Sequence, residues 1–195
     1  MVSEQEKTVV LIKPDGIKRG LVGEIITRIE RRGLKIISLE MFQATREQID
    51  NHYPKDKKWI KRVGQKTIAN YNKYNLDIKK ELGTDNPLKI GDMVRGWLID
   101  YLTSGPMVKM VVEGVHAIDM VRKITGDTMP SKAEMGTIRG DFSVDDATAA
   151  NQEKRSIHNI VHASETPEEA EHELGFWFAA EDIFYYKRGE EEIMF

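Results

Sequence analysis

The stretch "SIHNIVHASETPEEAEHELGFW", residues 156–177, sets two histidines four residues apart just ahead of an acid-rich helix start. Three chemistries compete for His162: a buried space-filling ring, half of a metal pair with His158, or an imidazole nucleophile. The metal pair is the weakest. "NIV" favours a strand, where positions four apart share a face but lie about 13 Å from each other, too far for one ion. No third ligand is apparent. "TPEE" reads as a helix start, with Thr166 as N-cap, Pro167 in the first position and Glu169 where a capping box needs an acid. Ala170, Leu174, Trp177 and Phe178 then form an apolar stripe at helical spacing, with Glu173 on its margin. A carboxylate there can reach back to His162, orient its ring and stabilise its charged form. On spacing alone a structural histidine stays open beside this reading.

A second set of residues is cationic. Lys13 closes the first strand pattern, Arg122 lies on a middle helix, and Thr128 and Arg139 lie in a long loop. Together they could surround a polyphosphate without a P-loop, whose G-x-x-x-x-G-K-[ST] pattern occurs nowhere in the chain. Singly, each reads equally well as a solvated charge or turn former.

The elements that must carry these groups alternate in type. "TVVLI" at 8–12 is a β-branched run that stops at the turn chemistry of "KPDG". Val22, Ile25, Ile26 and Ile29 follow helical spacing, and Gly33 sits where a C-terminal cap belongs. In "LKIISLEMF", Ile37, Leu39 and Met41 are expected on one face of a strand. "MVKMVVEG" at 107–114 is another strand, followed by a helix bearing Ile118, Val121 and Ile124, and "HNIVH" is a short strand candidate. This order predicts an α+β fold of the split βαβ kind, with helices on one face of the sheet. The loop from Gly126 to Asp146 is too long for a mere connector.

Composition bounds the function. A chain of 195 residues with 40% hydrophobic and 31% charged residues suits one full-cored domain, here 1–195. The absence of cysteine excludes disulfides, thiolate metal sites and cysteine nucleophiles. An acidic start before a very short apolar run is unlike a signal peptide, and no apolar stretch nears the ~20 residues of a membrane span. A cytoplasmic protein is expected. The net charge of -3 argues against wholesale nucleic-acid coating. Yet residues 55–80 carry nine Lys or Arg against two Asp, interspersed with Trp59, Tyr71 and Tyr74. That mixture suits either a nucleic-acid surface or a pair of solvated helices.

"LIKPDGIKRGLVGEIITRIERRG", "SGPMVKMVVEG", "GTIRGDF" and "NIVHASE" resemble, in order, the defining segments of nucleoside diphosphate kinases, over about 8–186. The resemblance is to archaeal-type members, with insertions at about 55–80 and 145–156. It implies a ferredoxin-like sheet and γ-phosphate exchange between nucleoside triphosphates and diphosphates. It also implies Mg2+ on the nucleotide rather than on protein side chains, a phosphohistidine intermediate, and a homohexamer or tetramer. By position, His162 matches the nucleophile and Glu173 the acid that holds its ring. Ser164 matches the serine bonded to that acid, and Tyr53 the tyrosine beside the nucleophile. Lys13 and Asn159 match contacts to the sugar and phosphates, and Arg122, Thr128 and Arg139 the phosphate-binding set. Val94 and Leu98 fall at the base contacts, the first where many relatives have an aromatic ring that Trp97 would replace. Where many relatives have "HGS" this chain has "HAS", tolerable unless that backbone needs a positive φ. The competing function is a nucleic-acid-binding protein on a retired kinase-like fold, using residues 55–80.

Overall fold

The computed structural model describes residues 5–189 and 191–194. Strand β1 (Gln5–Ile12) buries both faces at once: Val9, Val10, Leu11 and Ile12 are all at most 1% exposed. A continuous apolar run of this kind requires cover above and below the sheet. Helices therefore pack on both faces, where one face was expected. Val10 and Ile12 belong to a core with α2 (Val22–Arg31) and α7 (Ala117–Thr125). Val9 and Leu11 belong to another with residues of α3 (Arg46–His52), α6 (Pro87–Leu102) and α10 (Pro167–Trp177).

The sheet has the order β2-β3-β1-β4, every neighbour antiparallel, with β2 at Lys35–Phe42, β3 at Met107–Val115 and β4 at Val161–Ala163. This is the ferredoxin-like α+β arrangement expected from the sequence. The last strand is shorter than "HNIVH" suggested, because residues 158–160 leave the ladder. "KPDG" forms no mere turn but the short helix α1 (Pro14–Lys18), with proline in its first turn. In β2 a register shift between Ile36 and Ser38 breaks the alternation. Ile37 and Ser38 are both buried, while Leu39 and Met41 are 52% and 60% exposed, off the face expected for them.

The basic segment forms α4 (Lys57–Lys73) and α5 (Ile78–Leu82). They are not merely solvated. Tyr71, Ile78, Leu82 and Ile90 make a third core. The Tyr71 hydroxyl donates to the carbonyl of Asn151 at 3.1 Å, tying α4 to α9 (Ala147–Gln152) of the second insertion. Helices α4 and α6 touch backbone to backbone at Gly64 and Gly91. A Cβ on Gly91 would lie 2.0 Å from the carbonyl oxygen of Ile60, and one on Gly64 1.8 Å from that of Pro87. Between β3 and β4 the long loop carries α8 (Ile138–Phe142).

The two glycines of α6 separate packing from propensity. Gly91→Ala should destabilise by about 1–3 kcal/mol, as overpacking does. Gly96→Ala, with open space at its Cβ, should be neutral or stabilising by up to about 1 kcal/mol. Thermal unfolding of both variants checks this, and equal effects would contradict the close helix contact.

Candidate active site

Strand β4 sets Leu11 opposite His162 and Ile12 opposite Val161, so His162 and Lys13 sit at the ends of adjacent strands. The Nε2 atom of His162 lies 2.6 Å from Oε1 of Glu173, and the Ser164 hydroxyl donates to Oε2 at 2.7 Å. Glu173 is 2% exposed, deeper than the helix margin expected for it. Burial pushes its pKa up, but the hydrogen bonds and charge of His162 and the Ser164 hydroxyl outweigh this and hold it below the ordinary carboxylate range. An ionised acceptor at Nε2 favours the imidazole tautomer with its proton there. Nδ1 is then the lone-pair nitrogen, and no partner reaches it among the described residues. Ala163 pairs with Val10 in the ladder and is absent from the positive-φ residues, so the extra methyl of "HAS" costs no backbone strain.

His52, which sequence reasoning passed over beside Tyr53, completes this group. Its ring centroid is 5.3 Å from that of His162, nearly perpendicular at 86°. Burial, then the charge of His162, lowers its pKa to about 4, so it is neutral near pH 7. Trp177 Nε1 donates to its Nδ1 at 3.3 Å. The ligand atoms of His52, His162 and Glu173 all lie within 4.8 Å of one another. His162 Nε2 is already engaged by the carboxylate at 2.6 Å and His52 Nδ1 by Trp177 at 3.3 Å, so one nitrogen of each ring has a hydrogen-bond partner without an ion. Tyr53 is half-buried, and its ring is 5.0 Å from that of His52. Burial and the Glu173 charge raise its phenol well above the usual value.

The cationic set converges on the neighbouring turn. Lys13 Nζ donates to Asn159 Oδ1 at 2.6 Å, and Asn159 Nδ2 donates to the Thr128 carbonyl at 2.9 Å. Arg139 spends three donors on backbone carbonyls: Nε on Asn159 at 3.2 Å, Nη1 on Gly126 at 2.7 Å and Nη2 on Val161 at 2.8 Å. A guanidinium has five N–H groups, so two stay available. Between the carbonyls of Asn159 and Val161 lies Ile160, at φ 69°. The Val161 amide donates to the Asn159 carbonyl at 2.7 Å, which makes a strained positive-φ γ-turn. Arg139 clasps it from one side. From the other, Asp15 accepts the Ile160 amide at 3.1 Å and the Tyr101 hydroxyl at 2.5 Å. Gly16 lets helix α1 approach, since a Cβ there would meet Ile12 at 2.9 Å and the Ile160 carbonyl at 3.2 Å.

These cations are under-neutralised. Burial, then repulsion from Arg139, lowers the Lys13 pKa to about 7 against the pull of Asp15. Burial and Arg122 bring Arg139 down to about 10. Arg122 is partly exposed and pairs with Glu165 at 3.3 Å. Such a cluster suits a polyanion.

Two predicted residues stand apart from this group. Val94 packs, with Trp97, against the inserted core of Tyr71 and Ile90, and Leu98 is half-buried on the same helix. His158 does not join His162. Its ring lies 4.9 Å from that of Tyr101, and Asp145 accepts its amide at 2.7 Å. The exposed cations of α4 lie outside the cluster. Sequence reasoning also missed Asp15, Tyr101 and Trp177. Asp15, within "KPDG", and Trp177, in the apolar stripe after "TPEE", lay in stretches already singled out, but without a role at the site.

A family model described as nucleoside diphosphate kinase matches residues 6–66 and 93–183. The break at 67–92 takes in most of the third core. Among curated relatives, a nucleoside diphosphate kinase from Pyrobaculum aerophilum is 46% identical over 91% of this chain and 97% of its own length. One from Archaeoglobus fulgidus is 37% identical over 96% of this chain and 95% of its own. The crystal structure of an NDP kinase from Pyrobaculum aerophilum superposes with a TM-score of 0.90 at 43% identity, covering 93% of this chain and all of that one. A transition-state mimic of nucleoside-diphosphate kinase from Borrelia burgdorferi, with bound vanadate and ADP, gives 0.77 at 34% identity over 96% of this chain and 95% of its own. With its sheet order, its histidine–glutamate pair and these matches across nearly its whole length, the chain belongs to the nucleoside diphosphate kinase family.

Proposed function

We propose that this chain, as a single domain bearing two insertions, exchanges the γ-phosphate between nucleoside triphosphates and diphosphates through a phosphorylated His162. The observation that carries the reading is the His162–Glu173 pair. It occupies Nε2 and leaves Nδ1 as the attacking atom, beside a cluster of cations. In the first half-reaction, the Nδ1 lone pair forms a bond to the γ-phosphorus as the bond to the β–γ bridging oxygen breaks. The diphosphate departs with that electron pair. In the second, a terminal oxygen of an acceptor diphosphate attacks the same phosphorus and Nδ1 recovers its lone pair. The Nε2 proton stays on the imidazole throughout, and Glu173 stabilises the positive charge that develops there.

Lys13, Arg122 and Arg139 would stabilise the charge on the transferring oxygens, and their fixed positions save reorganisation at the moment of transfer. Asn159, held between Lys13 and the Thr128 carbonyl, presents its amide to the sugar hydroxyls. Tyr53 shields the imidazole, and Thr128 adds a hydroxyl to the phosphate seat. By the family resemblance, the base would lie toward Val94 and Leu98 on α6, away from the phosphate cluster. A divalent ion such as Mg2+ would arrive on the nucleotide, where it neutralises phosphate charge. The carboxylate and imidazole donors of this chain fit that role better than a protein-held ion, for Glu173 is already engaged by His162 and Ser164. Assembly into a homo-oligomer belongs to the same reading, supported by the exposed Leu39 and Met41 on edge strand β2. A cytoplasmic location, where such nucleotides are handled, goes with it. No helix among the described residues is long and apolar enough to cross a membrane.

Incubated with Mg2+ and γ-labelled ATP and no acceptor, the protein should take up acid-labile, base-stable label on His162. Any nucleoside diphosphate should discharge it. His162→Ala should abolish labelling and keep nucleotide binding, and His158→Ala should label normally. Label on Ser164, or label persisting in His162→Ala, would overturn the mechanism. Arg139→Ala should slow transfer by roughly two or more powers of ten, from about 3 kcal/mol of lost transition-state stabilisation, with Lys rescuing only in part.

The buried ammonium gives a pH dependence with a defined sign. With its free-state pKa near 7, Lys13 is largely neutral in the empty site at pH 8.5, and bound phosphates favour its charged form. Nucleotide binding should therefore take up a proton at pH 8.5, and affinity should fall as pH rises above about 7. Calorimetric titration with ADP in buffers of different ionisation heat measures the uptake. Equal uptake by the wild type and by Lys13→Met would contradict it.

A further inference from the structure

The second imidazole at the site has a fixed proton of its own. Tryptophan Nε1 is a donor only, so its hydrogen bond to His52 Nδ1 requires a lone pair there. A neutral His52 must then carry its proton on Nε2. That atom lies 3.8 Å from Glu173 Oε1, the same oxygen that His162 Nε2 approaches to 2.6 Å. Two imidazole Nε2 atoms thus approach one carboxylate oxygen, that of His162 within hydrogen-bond distance and that of His52 just beyond it, while Ser164 serves the other. Among the other titratable neighbours of His52, Lys13 and His172 both oppose its protonation, and the Tyr53 phenol lies beside it with ring centroids 5.0 Å apart.

We propose that His52 is a positioning residue for transfer. Locked by Trp177 as the Nε2–H tautomer, it directs a neutral N–H at Glu173 and packs against His162, so that the His162 proton stays on Nε2 and Nδ1 stays free. The opposite tautomer of His52 would aim a lone pair at the carboxylate oxygen and repel it, loosening its hold on His162. A charged His52 would compete with His162 for that oxygen. The near-perpendicular packing of the rings also opposes a flip of the His162 ring, which would exchange its two nitrogens. Trp177, from the far side of His52, therefore acts on the nucleophile through two intermediates without touching it.

The inference rests on the phosphohistidine reading, and its test separates the two. Nitrogen-15 spectra of the imidazoles, taken without nucleotide, report tautomers independently of activity. The wild type should show His52 as the Nε2–H form and His162 as the Nε2–H form. His52→Phe keeps a ring of similar breadth and removes the N–H. It should mix the His162 tautomers and slow single-turnover phosphorylation by ATP at least tenfold, with the Kd for ADP unchanged. His52→Gln, which retains an amide N–H, should recover part of that rate. Trp177→Phe should release His52 toward its Nδ1–H form and slow phosphorylation in the same way, and it carries the test if His52→Phe fails to fold. A wild-type spectrum with His52 in the Nδ1–H form would overturn the inference. So would slowing in these variants with the His162 tautomer unchanged, or Phe and Gln variants equally slow. A wild type with the expected tautomers but no label from ATP would instead sink the phosphohistidine reading.

Discussion

An ionised carboxylate at 2% exposure constrains everything packed around it. Leaving such a charge without partners costs several kcal/mol, so the surroundings of Glu173 must deliver donors from fixed directions. Two donors come from β4 and the residue just past it, His162 at 2.6 Å and Ser164 at 2.7 Å, and His52 at the end of α3 approaches to 3.8 Å. Ser164 is itself held on β1, its hydroxyl accepting the Val9 amide at 3.2 Å. Helix α10 supplies the acid on the face that also buries Trp177. The sheet, the acid helix and His162 thus share one polar junction, and the orientation of the imidazole follows from it.

A second constraint sits two residues upstream. The positive φ of Ile160 is unfavourable for a β-branched residue, by the order of 1–3 kcal/mol. Arg139, Asp15 and the close approach of α1 at Gly16 together hold it. The gain is geometric, for the turn lets Asn159 face Lys13 while Val161 and His162 enter the sheet. Its keeper, Arg139, is also a site cation, so the strain and the charge cluster are coupled. Filling the site with phosphate would relieve the mutual repulsion of Lys13, Arg139 and Arg122. Packing and the hydrogen bonds to backbone carbonyls hold these cations together against their repulsion.

Periodicity carried the frame of the fold. The continuous burial of "TVVLI", the helical spacing of Val22 to Ile29 and the capping signals at Thr166 and Gly33 all describe local choices that packing did not overturn. What one-dimensional patterns lacked was layer information. The same apolar run that marked a strand also implied cover on both faces, and the register shift in β2 could not be read from alternating Ile37, Leu39 and Met41. Basic composition likewise hid the apolar side of α4, since Tyr71 and Gly64 are a small fraction of a lysine-rich stretch. At the site, His162, Glu173, Lys13, Arg139 and Asn159 were legible through motif resemblance, and their distances are what only a fold supplies. His52, Asp15 and Tyr101 act through other residues. Nothing in their spacing pointed to such roles.

The chemistry proposed here turns on which imidazole nitrogen is free, and phosphorus itself can report it. After brief reaction with ATP and Mg2+, phosphorus–nitrogen NMR couplings of the trapped protein distinguish attachment at Nδ1 from attachment at Nε2. With Glu173 occupying Nε2, the phosphoryl group is expected on Nδ1 of His162. Attachment at Nε2 would contradict the tautomer, the role of Glu173 and the mechanism built on them.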